Sequence, residues 1–235
     1  MSLKQKTALI TGGTKGIGYG IAEALLKEGL SVAITGRDEN TGKQAVADLS
    51  KAGGKVLFIK CDVREYQQQQ DAVKKAVSQW GQLDVLVANA GVGHFAPIDE
   101  LSVEKWNETI DINLTGVFYS IKASLDELKK SKGYIITLSS LAGTNFFAGA
   151  SAYNASKFGL TGFTQAAMLD LRKYGVKVTT IMPGSVATEF NNHNPGPEDA
   201  WKIQIEDIGQ IVVDLLRMHP RTLPSKIEVR PSMPK

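Results

Sequence analysis

The sequence predicts an α/β fold, with about seven parallel strands in one doubly wound sheet and helices on both faces. Three observations predict it. Strand-like and helix-like patterns alternate along the whole chain. The strand-like runs are nearly continuous in apolar residues, as required when both sheet faces are covered. The first strand runs directly into a glycine-rich turn that opens a helix.

The first strand is read at 7–11, Thr7-Ala8-Leu9-Ile10-Thr11, which is short, apolar and rich in β-branched residues. Gly12-Gly13-Thr14-Lys15-Gly16-Ile17-Gly18 follows. Ile17, Ile21, Ala24, Leu25 and Leu26 then recur at helical spacing, and Gly29 is a C-terminal stop. Further strands are expected at 31–36, 55–60, 83–88, 134–139, 176–182 and 227–230, with helices between them. The glutamine run at 67–70 falls inside one of these helices. No repeat or linker divides the chain, so residues 1–235 are expected to form a single domain.

Composition narrows the function. The chain has 43% hydrophobic and 22% charged residues, values typical of a globular protein able to bury a real core. Its 27 basic and 24 acidic residues leave a net charge of +3, with no basic run of the kind that binds nucleic acid. No apolar run approaches the ~20 residues of a membrane span, and no signal peptide opens the sequence, so a cytoplasmic location is expected. The single cysteine, Cys61, is expected to be a small buried residue. His94, His193 and His219 are far apart, and no metal site is expected.

Two features carry chemistry. Tyr153 and Lys157 are four residues apart, one turn apart on the same face of a helix. Tyrosine titrates near ~10, and a neighbouring ammonium lowers that value, suiting the pair to acid–base work on an alcohol or carbonyl. The glycine turn meets a helix N-terminus, whose unpaired N–H groups and partial positive charge suit a pyrophosphate. Its spacing, Gly12, Gly16 and Gly18, differs from the general Gly-x-Gly-x-x-Gly fingerprint, and a flavoprotein or methyltransferase would also use a glycine turn here. In such sheets ligands bind at the carboxyl ends of the strands. Gly12, Asp62, Asn89, Ser140 and Gly184 all follow strand ends, so they are expected to converge on one edge.

With these residues the chain resembles the short-chain dehydrogenase/reductase family, in its compact single-domain NADP(H)-preferring form, strongly over roughly 4–190. Thr11-Gly12-x-x-x-Gly16-x-Gly18 resembles the family's cofactor turn, with Thr14, Lys15 and Ile17 inside it. Asp62, followed by Val63, matches the aspartate that contacts adenine. Asn89-Ala90-Gly91 matches the element beside the cofactor, although Ala88 stands where many relatives have a second asparagine. Asn113 matches the helix asparagine that holds a water of the proton relay. Ser140 lies thirteen positions before Tyr153, the family's usual separation. Pro183, Gly184, Val186 and Thr188 match the segment that holds the nicotinamide amide.

The resemblance implies a Rossmann-type sheet and reversible hydride transfer between a nicotinamide cofactor and a small carbonyl or secondary alcohol. Asn113, Ser140, Tyr153 and Lys157 would be the catalytic set. Ser140 would hold the substrate oxygen, Tyr153 would donate the proton, and Lys157 would lower the tyrosine pKa and grip the ribose. It also implies a homo-tetramer or homo-dimer. After the second strand Gly36 offers no carboxylate for a ribose 2′-hydroxyl, whereas Arg37 offers a guanidinium for a 2′-phosphate, with Lys15 as a second contact. NADP(H) is therefore the expected cofactor, with Asp38, one residue late, as the residue that complicates the preference.

Residues 189–204 are expected to be a polar, mobile substrate loop, rich in turn formers, before a helix from Ile205 to His219. His94, Phe95, Phe146 and Phe147 are candidates for the pocket wall. Two other readings stay open: a reductase of β-ketoacyl thioesters, which the C-terminal sequence disfavours, and a cofactor-binding sensor, which an intact catalytic set disfavours.

Overall fold

The computed structural model describes residues 3–234. Its strands are β1 (Thr7–Ile10), β2 (Ser31–Gly36), β3 (Lys55–Lys60), β4 (Val85–Ala88), β5 (Tyr134–Leu138), β6 (Lys177–Pro183) and β7 (Lys226–Val229). All pair in parallel, in the order β3-β2-β1-β4-β5-β6-β7. Each expected strand is present, with ends displaced by no more than about two residues, the ordinary imprecision of an element end. The helices are α1 (Gly16–Lys27), α2 (Glu39–Leu49), α3 (Tyr66–Trp80), α4 (Val103–Ile110), α5 (Gly116–Ser131), α6 (Ser151–Leu171) and α7 (Ile205–Arg217).

The strands read as continuous apolar runs because both of their faces are covered. Ala8 and Ile10 point into one core with α1 and α7, while Leu9 points into the other with α3, α5 and α6. The same alternation runs through Val32, Ala33 and Ile34, and through Val85, Leu86 and Val87. Cys61 is buried in the second core and Ala88 beside it, which explains an apolar residue at that departure from the family pattern. On the opposite face α1 and α7 touch through glycines. A Cβ on Gly20 would lie 2.6 Å from the Ile205 carbonyl oxygen, and one on Gly209 would lie 2.8 Å from that of Gly20.

Strand order reverses between β1 and β4, and the connections on either side of them lead in opposite directions. That divergence opens a crevice beyond the carboxyl ends of these two strands. Between α4 and α5 the helix is continuous but widens into a π turn over Asp111–Thr115, centred on Asn113. Such turns interrupt the regular hydrogen-bond ladder and often mark functional positions. No helix among the described residues is long and apolar enough to cross a membrane.

Candidate active site

A cleft of about 1120 Å³ occupies the crevice. Of the expected site residues, Gly12, Thr14, Lys15, Gly16, Ile17, Arg37, Asp62, Val63, Asn89, Ala90, Gly91, Ser140, Tyr153, Lys157, Pro183, Gly184, Val186 and Thr188 all line it. Gly18 and Asn113 lie behind its wall.

The glycine turn is held by the end of β4. Asn89 Nδ2 donates to the carbonyls of Thr11 (2.9 Å) and Gly12 (3.0 Å), while the Asn89 and Ala90 N–H groups donate to Thr11 Oγ1. Gly12 has φ +64° and its Cβ would lie 2.9 Å from Ala90 Cα, so no side chain fits there. Gly18 is a packing glycine: its Cβ would lie 2.5 Å from both Asn89 Nδ2 and the Gly12 carbonyl oxygen. The N-terminus of α1 has neither a side-chain cap nor an acidic residue in its first turn. Its positive end therefore remains available to an anion, and the cradle fits the diphosphate of a dinucleotide.

At the far end of the cleft Arg37 and Lys15 are exposed and form no ion pair with a described residue. Asp38 caps α2: its Oδ1 accepts from the Thr41 N–H and hydroxyl, both at 2.7 Å. Asp62 differs from the simple expectation. Its carboxylate is gripped by the Arg64 side chain, with Nη2 2.6 Å from Oδ2, and also accepts from the Arg64 N–H. The carboxylate pKa is held down chiefly by that side-chain hydrogen bond. An adenine contact here has to share a carboxylate already engaged by arginine.

The reacting end is formed by β5 and α6. Adjacent serines point in opposite directions. Ser139 is buried, its hydroxyl 2.8 Å from Thr161 Oγ1 and 3.2 Å from the Lys157 carbonyl oxygen. Ser140 lies close enough to Tyr153 to lower its pKa, while its own hydroxyl accepts from the Ala142 N–H at 3.1 Å and donates to the Pro183 carbonyl at 3.5 Å. Lys157 is buried, its Nζ donating to the Leu138 carbonyl at 2.8 Å and lying 5.7 Å from the Tyr153 ring centroid. Burial pushes the Lys157 pKa down to about 8. The Tyr153 pKa is raised, not lowered as the sequence suggests. Burial among apolar rings disfavours the phenolate, and the Ser140 hydroxyl only partly opposes this.

Asn113 stands one layer back. Its Oδ1 accepts from the Val92 N–H at 2.8 Å, and its Nδ2 donates to the Val92 carbonyl (2.8 Å) and Ser156 Oγ (3.1 Å). The side chain thus ties the segment after β4 to α6. Gly91 fits between: a Cβ there would lie 3.3 Å from Asn113 Oδ1 and 3.8 Å from Lys157 Nζ.

Two pocket-wall expectations fail. His94 is paired with Glu108 at 2.8 Å and does not line the cleft. Phe146 is 83% exposed and also lies outside it. Phe95 and Phe147 do line it, joined by Phe190, His193, Trp201 and Lys202 of the 189–204 segment and by Arg230 and Pro231 after β7. That segment is pinned rather than loose. Val186 bridges Ile203, and buried Asp199 holds Lys202 at 2.6 Å and His193 at 2.5 Å. Those two side chains hold the Asp199 pKa down to about 2. The contribution of residues after β7 had no sequence signal, because it depends on where the tail crosses Gly184.

The fold and cleft together define a Rossmann-type dinucleotide-binding protein. The model of the short chain dehydrogenase family matches residues 6–198. The chain is 39% identical over 207 residues to 2,5-dichloro-2,5-cyclohexadiene-1,4-diol dehydrogenase LinX of Sphingobium indicum, covering 88% of this chain and 82% of that protein. It is 31% identical to glycine betaine reductase ATRR of Emericella nidulans over 97% of its own length, but spans only 19% of that protein. Among solved structures, an alcohol dehydrogenase from the archaeon Thermococcus sibiricus complexed with 5-hydroxy-NADP superposes with a TM-score of 0.91 at 29% identity, covering 98% and 99% of the two chains. The chain belongs to the short chain dehydrogenase family. It is accordingly an oxidoreductase acting on alcohol or ketone groups, with a nicotinamide cofactor.

Proposed function

We propose that this protein is an NADP(H)-dependent oxidoreductase interconverting a small ketone and its secondary alcohol, with Tyr153 as the acid and base. The observation that carries the reading is the shared cleft. Ser140, Tyr153 and Lys157 line one end and unpaired Arg37 and Lys15 the other, with the glycine cradle between. The dinucleotide, when bound, supplies or accepts the hydride. Gly12, Gly16 and the N-terminus of α1 would hold its diphosphate, and Arg37 with Lys15 its 2′-phosphate.

The protein's own part is to position the substrate and move one proton. In reduction, negative charge grows on the substrate oxygen. The Ser140 hydroxyl donates to it and Tyr153 Oη delivers the proton. The raised Tyr153 pKa keeps a proton on the phenol at neutral pH, as a donor requires. Buried Lys157 sits against the Tyr153 ring and would donate to the cofactor ribose. The side chain of Asn113 is committed to Val92 and Ser156, so its part is to hold the segment after β4 against α6 beside Lys157. Residues 189–204 act as the substrate loop within a single domain spanning 1–235, since Phe190, His193, Trp201 and Lys202 face the cleft. A cytoplasmic homo-tetramer or homo-dimer completes the reading. The exposed Phe118 and Phe158 on α5 and α6 favour association through those helices.

The test is oxidation of NADPH and of NADH by the purified protein with ketones, aldehydes and β-ketoacyl thioesters. Ketone-dependent oxidation with NADPH preferred supports the proposal. Equal use of the two cofactors, or activity on thioesters alone, contradicts it.

A further inference from the structure

Three phenylalanines converge on Tyr153 from three separate loops. Phe95 follows β4, Phe147 follows β5 and Phe190 follows β6. Phe95 is the hub. Its ring centroid lies 5.3 Å from that of Tyr153, 6.2 Å from Phe147 and 6.5 Å from Phe190, while Tyr153 and Phe190 lie 5.8 Å apart. All four rings line the cleft. The three phenylalanines remain 40%, 53% and 39% exposed, so their outer faces look into open space above the catalytic hydroxyl.

The cluster depends on a backbone position made for it. A Cβ on Gly93 would lie 2.6 Å from Phe190 Cζ and 2.8 Å from Phe95 Cε2, so the rings meet only over a glycine. The hydroxyls of Ser140 and Tyr153 line the same cleft, as do His193, Lys202 and Arg230. The last three are already engaged, His193 and Lys202 with Asp199 and Arg230 with Glu228.

Resting on the function proposed above, we infer that the substrate is an apolar ring ketone or its ring alcohol, with Phe95, Phe147 and Phe190 selecting the ring. A rigid ring matches flat aromatic walls and gives up no internal rotations on binding, whereas an open chain of equal size loses several. A pantetheine thioester would need partners for its amide and phosphate groups that the three phenylalanine rings do not offer.

The test compares ring and open-chain ketones of equal carbon number: cyclohexanone with 2-hexanone and acetophenone with 2-octanone, alongside acetoacetyl-coenzyme A. Wild type is expected to favour the ring member of each pair by at least about tenfold in kcat/KM, mainly through KM. Phe95→Ala and Phe147→Ala should each erase most of that preference, with NADPH affinity and melting temperature close to wild type. Phe146→Ala, beside the cluster but outside the cleft, should change nothing. Turnover that favours the open chains or the thioester, or variants that lower both members of a pair alike, overturns this inference and leaves the oxidoreductase reading standing. No turnover of any carbonyl, with no quench or shift of NADPH fluorescence, overturns both.

Discussion

Lys157 Nζ lies 5.7 Å from the centre of the Tyr153 ring and donates a 2.8 Å hydrogen bond to the Leu138 carbonyl. A buried ammonium thus sits beneath the phenol with one neutral carbonyl as its acceptor. Burial drives its pKa from 10.5 down to about 8. Between those values the unfolded chain holds a proton that the folded chain has lost. Stability therefore rises with pH across that window, and the penalty is fully present below it.

Lys157→Met should accordingly separate stability from activity. At ~1.4 kcal/mol per pKa unit the buried charge costs about 3 kcal/mol, against about 1 kcal/mol for the lost Leu138 hydrogen bond. The cofactor-free variant should be more stable than wild type by about 2 kcal/mol at pH 7, and no more stable above pH 10.5, while activity disappears. Urea unfolding at the two pH values checks this. A variant destabilised at pH 7 contradicts it.

The phenol should titrate late. Burial raises the Tyr153 pKa above its ordinary 10.0 and the Ser140 hydroxyl lowers it. The difference in phenolate absorbance between wild type and Tyr153→Phe should therefore develop at higher pH than for an ordinary tyrosine in cofactor-free protein. Ser140→Ala should move it higher still. Alcohol oxidation, which needs the phenolate, should rise with pH, whereas ketone reduction should not. A titration near neutrality in the free protein would be the contrary result.

Cofactor choice should rest on Arg37 and not on Asp38. Arg37→Asp removes a cation and adds an anion, and should weaken NADPH binding by about 10- to 100-fold while leaving NADH nearly unchanged. Asp38→Ala should leave the NADPH/NADH ratio alone and lower the melting temperature, because this carboxylate caps α2. Fluorescence titration and thermal unfolding read the two effects separately.

The glycines should divide by what surrounds them. Gly20→Ala drives a methyl toward the Ile205 carbonyl at 2.6 Å and should destabilise by about 1–3 kcal/mol. Gly162→Ala, inside α6 with open space around it, should stabilise by about 0.5–1 kcal/mol. Neither residue lines the cleft, so cofactor affinity should hold in both.

The sheet was legible because the apolar runs of its central strands are local and have both faces covered, while edge strand β7 alternates exposed Lys226 and Glu228 with half-buried Ile227 and Val229. The cofactor cradle was legible because Gly12 and Gly16 sit where positive φ is needed. Orientation was harder to read. Ser139 and Ser140 are adjacent in the chain, yet only the thirteen-residue spacing to Tyr153 singles out the one whose hydroxyl faces that phenol. Phe146 and Phe147 posed the same problem, with no spacing rule to resolve it. The direction of the Tyr153 shift was misread from sequence. The i,i+4 pairing with Lys157 shows in one dimension, whereas the rings of Phe95 and Phe190 reach the phenol from loops distant in the chain. The polar composition of residues 189–204 suggested mobility, because the contacts of buried Asp199 with His193 and Lys202 depend on a fold-back that composition does not reveal.

The central claim is that Tyr153 transfers the proton that accompanies hydride transfer. The direct measurement is ketone-dependent NADPH oxidation by Tyr153→Phe, with NADPH affinity determined on the same preparation. The account predicts affinity within about twofold of wild type and turnover lower by a factor of about 10² to 10⁴. Turnover near the wild-type rate, with binding intact, would contradict it.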